Sequence, residues 1–176
     1  MPELDNEWPK AYEGWISSAG KDLEASNWGE AFRTYPWPRY TSSPWTPLAK
    51  PLEEARIAVV SSGGLSLPGQ TLFDETVLEG DAGIRIVQAS DLPLWGWQVR
   101  HGHYDPTAAQ ADYNVIMPID VVKALAEDGV VGALAPRHVS FLGFQTNVGK
   151  FMQDTVPPIA EMFRDDGVDA VLLVPV

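Results

Sequence analysis

The chain has 176 residues, 45% of them hydrophobic and 20% charged, with a net charge of −12 and no cysteine. One domain with a genuine core plus an extension fits that length. The charge excludes a phosphate backbone as partner, the missing thiols exclude disulfides, thiolate metal sites and any sulfur nucleophile from this chain, and no apolar run is long enough to span a membrane.

The first residues lack a basic stretch followed by an apolar one, so a cytoplasmic location is expected. Residues 1–52 hold five of the seven tryptophans and read as an N-terminal arm, with residues 53–176 forming the main domain. Within the arm, Trp8, Tyr12, Trp15, Ile16, Ala19, Leu23, Trp28, Ala31 and Phe32 recur at three- and four-residue spacing. That predicts one or two amphipathic helices, interrupted near Gly20 or over Ser26 to Gly29. The proline-rich stretch from Thr34 to Leu52 should run extended over the surface. The arm's aromatic residues either pack on the domain or a second copy, or serve as a lid or partner surface.

ARIAVVSSGGL, Ala55 to Leu65, is a short apolar run followed by a Ser-Ser-Gly-Gly turn, as in a buried parallel strand. Backbone N–H groups of Ser62, Gly63 and Gly64 could cradle an anionic part of a substrate there, although a plain turn has the same composition. A loop and a second strand over Gly83 to Ala89 come next. Gln98 to Tyr104 can be extended, and His101 and His103 would then share a face. Pro118 to Gly129 predicts a helix stopped by Gly129. VVGALA predicts a short strand, after which PRHVSFLGF turns outward. Val148 to Asp166 marks a second core-facing helix, kinked or restarted at Pro157 and Pro158, and DAVLLVPV reads as a buried strand. Interleaved strands and helices define an α/β fold: a mainly parallel sheet flanked by helices, with Rossmann-like layering.

All three histidines lie in two segments, Val99 to Asp120 and Ala135 to Phe141. In a parallel sheet ligands bind outside the carboxyl ends of strands, which would gather Ser61 to Gly64, Pro136 to His138 and the terminal Pro175 and Val176. Two chemistries suit the residues. His101, His103 and His138, with Asp105 as a further oxygen ligand, could hold a divalent metal ion and leave a position open. Alternatively, a histidine oriented by Asp105 or Asp112, with Tyr104 as a hydrogen-bond donor, could move a proton beside a carbonyl or an amine. Asp105 before a proline also suits a turn, Asp120 suits a helix start, and Asn114 suits either a substrate contact or a loop hydrogen bond. Arg137 would pair with a carboxylate substrate.

These segments carry a resemblance. PWTPLAKPL leading into ARIAVVSSGG, GDAGIRIV, HGHYD with Asp112 and Asn114 before MPID, ALAEDGVVGALAPRHVSFLG and IAEMFRDDGVDAVLLVPV occur in this order from about residue 44 to 176. Together they resemble the selenoprotein B-type subunits of glycine, sarcosine and betaine reductases and the matching D-proline reductase subunit. The resemblance implies reductive cleavage of a carbon–nitrogen bond in small amines or amino acids. It places a selenocysteine or cysteine just after the strand corresponding to Asp169 to Pro175, then a further helix and strand. Here no such residue is present. Three expectations compete: a partner chain supplies the thiol or selenol, the scaffold performs chemistry that needs none, or the sequence is a piece of a longer one.

The leading functional expectation is a small-molecule enzyme acting through His101, His103, Tyr104, Asp105 and His138, with Ser62, Gly63, Gly64, Asp112, Asn114 and Arg137 around its substrate. An oxidoreductase subunit dependent on a partner's thiol, and a non-catalytic scaffold docking through its Trp arm, are the alternatives. A homo- or hetero-oligomer is expected, because an unfinished sheet would expose its last strand.

Overall fold

A computed structural model describes residues 4–43, 45–102 and 104–176. In chain order the helices and strands are α1 (Trp8–Glu24), α2 (Trp28–Ala31), β1 (Arg56–Ser61), β2 (Leu65–Ser66), β3 (Ile84–Gln88), β4 (Gln98–Val99), α3 (Thr107–Ala111), α4 (Ile119–Glu127), β5 (Ala133–Leu134), β6 (Arg137–Phe141), α5 (Val148–Lys150), α6 (Val156–Asp165) and β7 (Ala170–Val174).

β1 is the organising strand. It pairs in parallel with β7 along Ile57 to Ser61, and on its other side with β5 at Arg56 and Ile57 and β6 at Val60 and Ser61. β3 closes the far side of β6 in antiparallel register, and a two-stranded β2–β4 ribbon stands apart. Alternation divides the side chains between the two faces of the sheet. Ile57 and Val59 pack with Tyr113, Ile116, Ile119 and Val122, while Ala58 and Val139 pack with Ile159, Met162 and Phe163 of α6. Helices therefore cover both faces of a mostly parallel sheet, the layering expected of an α/β domain.

Three readings of the sequence change. PRHVSF does not turn outward: it becomes β6, inside the sheet, because β5 and β6 share one side of β1 across a break at Ala135 and Pro136. The extended segment expected over Gln98 to Tyr104 stops at Val99, Gly102 lies in a turn, and His103 lies outside the described residues. DAVLLVPV forms β7 but is not buried, since Leu173 is 69% exposed. An apolar run reads the same whether or not a neighbour covers it. A charged side chain is therefore tolerated there: Leu173→Lys should change the unfolding free energy by no more than about 0.5 kcal/mol. A larger loss in urea denaturation would show that Leu173 is covered in solution.

The 148–166 region is one continuous helical path with a wide π-helical turn at Phe151–Thr155, and α6 restarts with Pro157 and Pro158 in its first turn. Prolines lack an N–H, and the first turn is where none is required.

The arm docks on this same domain. α1 opens with Pro9 in its first turn and buries Trp8, Tyr12, Trp15, Ala19 and Leu23, one stripe of the helix. Each fully covered large side chain contributes about 1.5–3 kcal/mol. The stripe packs with Leu78 and Val148, and a polar clasp fixes it: Tyr12 donates to Glu79 Oε1 at 2.8 Å and lies 2.8 Å from Thr146 Oγ1, while Tyr35 donates to the Thr146 carbonyl at 2.7 Å. Burial raises the phenol pKa of Tyr12, keeping it a donor. Tyr12→Phe should cost about 1–3 kcal/mol in urea denaturation by leaving Glu79 and Thr146 incompletely paired.

Candidate functional site

The loop after β1 meets three other segments: the ends of β6 and β7 and the stretch after β4. Ser62 N–H donates to the Val174 carbonyl at 3.1 Å, Gly63 N–H to Ser61 Oγ at 3.0 Å, and Gly64 N–H to the Phe141 carbonyl at 3.0 Å. These donors are engaged within the fold, so the loop is a scaffold and not an anion cradle. It holds the rest of the site in return. Arg100 N–H donates to the Gly64 carbonyl at 3.0 Å, Gly143 N–H to the Ser62 carbonyl at 2.9 Å, and Val176 N–H to Ser62 Oγ at 2.9 Å.

His101 and Tyr104 stand on this scaffold. Their rings lie 4.6 Å apart, and Tyr104 donates to the Gly63 carbonyl at 3.2 Å. Burial raises the phenol's pKa, which keeps it protonated. His101 is 9% exposed, and its Nε2 lies 3.2 Å from where a Cβ on Gly143 would stand, so a residue without a side chain at 143 makes room for the imidazole.

Beside them is a polar cavity of about 480 Å³ lined by His101, Arg100, Glu75, Gln98 and Gln110 among others. Arg100 and Glu75 face each other at 3.8 Å, both partly exposed. At that length the pair is loose, and an exposed ion pair contributes little to stability. An imidazole, a guanidinium and a carboxylate thus surround one solvent-accessible space, with the Tyr104 ring packed against the imidazole.

The other predicted residues lie elsewhere or have structural partners. His138 is fully buried in β6, where Nδ1 accepts the Val59 N–H at 3.0 Å and so takes the place of a sheet carbonyl at the β5–β6 break. Accepting at Nδ1 fixes the proton on Nε2. Burial pushes its pKa down to about 4, against the opposing influence of the Ala135 carbonyl and Asp166. Four residues separate His138 from Gly143, roughly 16 Å of extended chain, so His138 is not brought to His101 as a shared metal ligand. Among the described residues no group of three or more His, Cys, Asp or Glu could hold a metal ion.

Arg137 is on the α6 face, donating from Nε at 2.8 Å and from a terminal nitrogen at 2.6 Å to the two oxygens of Asp166. That pairing raises the guanidinium's pKa and lowers the carboxyl's. Asp105 accepts from Thr107 N–H at 3.0 Å and Thr107 Oγ1 at 2.6 Å, which lowers its pKa and starts α3. Asp112 accepts from Asn114, Asn114 bonds Asp120 at the start of α4, and Tyr113 contacts Asp120 through its hydroxyl, its pKa pushed up to about 12 mainly by burial. These residues shape the turn between α3 and α4. Arg100 and Glu75 did not emerge from the sequence. Arg100 was legible beside His101, whereas Glu75, distant in a loop, left no local signal.

Fold and site define an α/β domain whose candidate centre lies at the carboxyl ends of its central strands, the position ligands take in such sheets. A family model described as glycine/sarcosine/betaine reductase selenoprotein B matches residues 25–176, and the chain belongs to that family. D-proline reductase subunit gamma of Acetoanaerobium sticklandii is 36% identical over 129 residues, 73% of this chain and 52% of the relative. Glycine reductase complex component B subunit gamma of Symbiobacterium thermophilum is 35% identical over 147 residues, 82% of this chain and 34% of the relative. Sarcosine reductase complex component B subunit beta of Peptoclostridium acidaminophilum is 31% identical, again over 82% of this chain and 34% of the relative. The chain therefore spans between a third and a half of these relatives' lengths. No solved structure matches it significantly.

Proposed function

We propose that the chain is the substrate-handling part of a multi-component reductase that cleaves the carbon–nitrogen bond of a small carboxylate-bearing amine. The reactive thiol or selenol comes from outside these 176 residues. One observation carries the reading: the end of β7 is bound to the Ser62 loop, through Ser62 N–H to the Val174 carbonyl and Val176 N–H to Ser62 Oγ, next to the Gly143 against which His101 packs. The family resemblance implies a redox residue just after the strand that corresponds to β7. A thiolate or selenolate there would reach the same space as His101 and Tyr104.

The residues then have distinct tasks. Arg100 binds the substrate carboxylate, exchanging its loose contact with Glu75 for a tighter one. As the sulfur or selenium forms its bond to carbon, the carbon–nitrogen pair leaves with the amine. For a primary or secondary amine His101 keeps the nitrogen protonated so that it departs as the neutral amine, a quaternary nitrogen departs without needing a proton, and Tyr104 holds the imidazole in place.

Binding and chemistry test this separately. In ligand-observed NMR, at least one of glycine, sarcosine, betaine and D-proline should bind the chain, and Arg100→Gln should weaken it about tenfold or more. In a complex reconstituted with a thiol- or selenol-bearing component, His101→Phe should lower amine release by about two orders of magnitude or more while binding persists. Failure of all four compounds to bind would sink the reading.

A further inference from the structure

Sharing Glu75 with the polar cavity is a second one of about 540 Å³, walled by the end of α1 and by α2. Its lining differs in kind. Glu24 and Glu75 supply two carboxylates, Trp28 and Phe144 supply two rings, Leu78 and Leu142 supply apolar surface, and among the described residues no lysine, arginine or histidine lines it. The Trp28 and Phe144 rings meet edge to face, with centroids 5.6 Å apart and an interplanar angle of 69°. Glu75 is common to both cavities, and one of its oxygens lies 3.3 Å from where a Cβ on Gly102 would stand.

Carboxylates alone would attract any cation, including a hydrated metal ion. Aromatic and aliphatic walls select differently: they suit a cation that sheds its water readily and presents methyl or methylene groups to the ring faces, which describes an organic ammonium. The C-terminal end of α1 adds its negative helix pole to the same wall, and the chain's net charge of −12 raises the local concentration of cations.

We infer that this arm-walled cavity is a binding site for an alkyl- or quaternary-ammonium group, with Glu75 and Glu24 as counter-ions and Trp28 and Phe144 as the rings that contact its carbon atoms. Its use, receiving the released amine, rests on the reductase reading; its binding chemistry does not. The arm then sets amine selectivity, and Glu75 links the two cavities.

Choline and its uncharged isostere 3,3-dimethylbutan-1-ol are the probes, titrated into the full chain by ligand-observed NMR at low salt. Choline should bind about tenfold or more tightly than the alcohol, and Glu75→Gln and Glu24→Gln should each reduce that preference. Both variants keep size and shape, and Glu24 is exposed at the end of α1, so folding is preserved in at least one. No choline binding, equal binding of the alcohol, or a preference unchanged in both Glu75→Gln and Glu24→Gln would each overturn the proposal. Choline binding that survives in a chain unable to bind glycine, sarcosine, betaine or D-proline would uphold this site and sink the reductase reading.

Discussion

Gly64→Ala should lower the unfolding free energy by about 3 kcal/mol, and with it the affinity for carboxylate ligands. Gly64 has φ +69°, in the left-handed region, and a Cβ there would stand 2.0 Å from the Arg100 carbonyl oxygen. Two costs therefore add: the conformational penalty of a left-handed alanine and the displacement of a backbone that cannot swing aside. Arg100 is held to this loop through the Gly64 carbonyl, so relief of the clash moves the residue proposed to bind the carboxylate and the neighbouring His101. Gly69 provides the comparison. It also has positive φ, but no atom lies within 4 Å of its ideal Cβ, so Gly69→Ala should cost only the conformational part, about 1–2 kcal/mol. Urea denaturation of the pair separates the two contributions, and equal losses would refute the close contact.

The second large effect depends on pH. An unfolded histidine titrates near 6.5, whereas His138 in the fold is held down to about 4. Between those values the unfolded chain binds the extra proton, so the stabilisation is complete above about pH 7 and is lost as pH falls from 6.5 towards 4. The full span corresponds to roughly 3 kcal/mol. About 2 kcal/mol of it should disappear between about pH 7.5 and about pH 5. His138→Gln keeps an acceptor within reach of the Val59 N–H but cannot titrate in that range. Its stability should therefore fall less than that of the wild type over the same interval. Carboxylates away from His138, such as that of Asp105, whose pKa the Thr107 hydrogen bonds lower, destabilise at lower pH and affect both proteins alike. Parallel pH profiles for the two would show that His138 is not the group responsible.

The fold class was legible because periodicity survives folding: α1, β1, α4 and α6 all appear where their apolar spacing puts them. β6 was hidden for a physical reason. Its sequence, RHVSF, follows a proline and carries polar side chains that in most strands would face water. Here Arg137 pairs with Asp166, His138 accepts a sheet N–H, and Ser140 Oγ accepts the Leu65 N–H at 2.8 Å. The candidate site was legible in part. Histidine content pointed to two segments, but among the described residues only His101 and Tyr104 of the predicted set lie together on the glycine loop, because the polar residues at 105, 112 and 114 satisfy their own turns. Glu75 and the arm's contribution depend on contacts between distant parts of the chain, which no local pattern records.

The position of β1 also constrains how the molecule is assembled. The strand is made early in the sequence, yet its neighbours come much later: the residue that accepts the Val59 N–H is 79 positions away, and the β7 flank contacts Arg56 across 113. No hairpin can give β1 an early partner. Closing loops of that length before any pairing offsets the entropy predicts slow folding, with a nascent chain that holds an apolar strand unpaired while most of the polypeptide is synthesised. The arm's helices can form from local contacts but cannot dock until Glu79 and Thr146 are made, so a chaperone that binds extended apolar segments would meet β1 before it met any other strand of the domain.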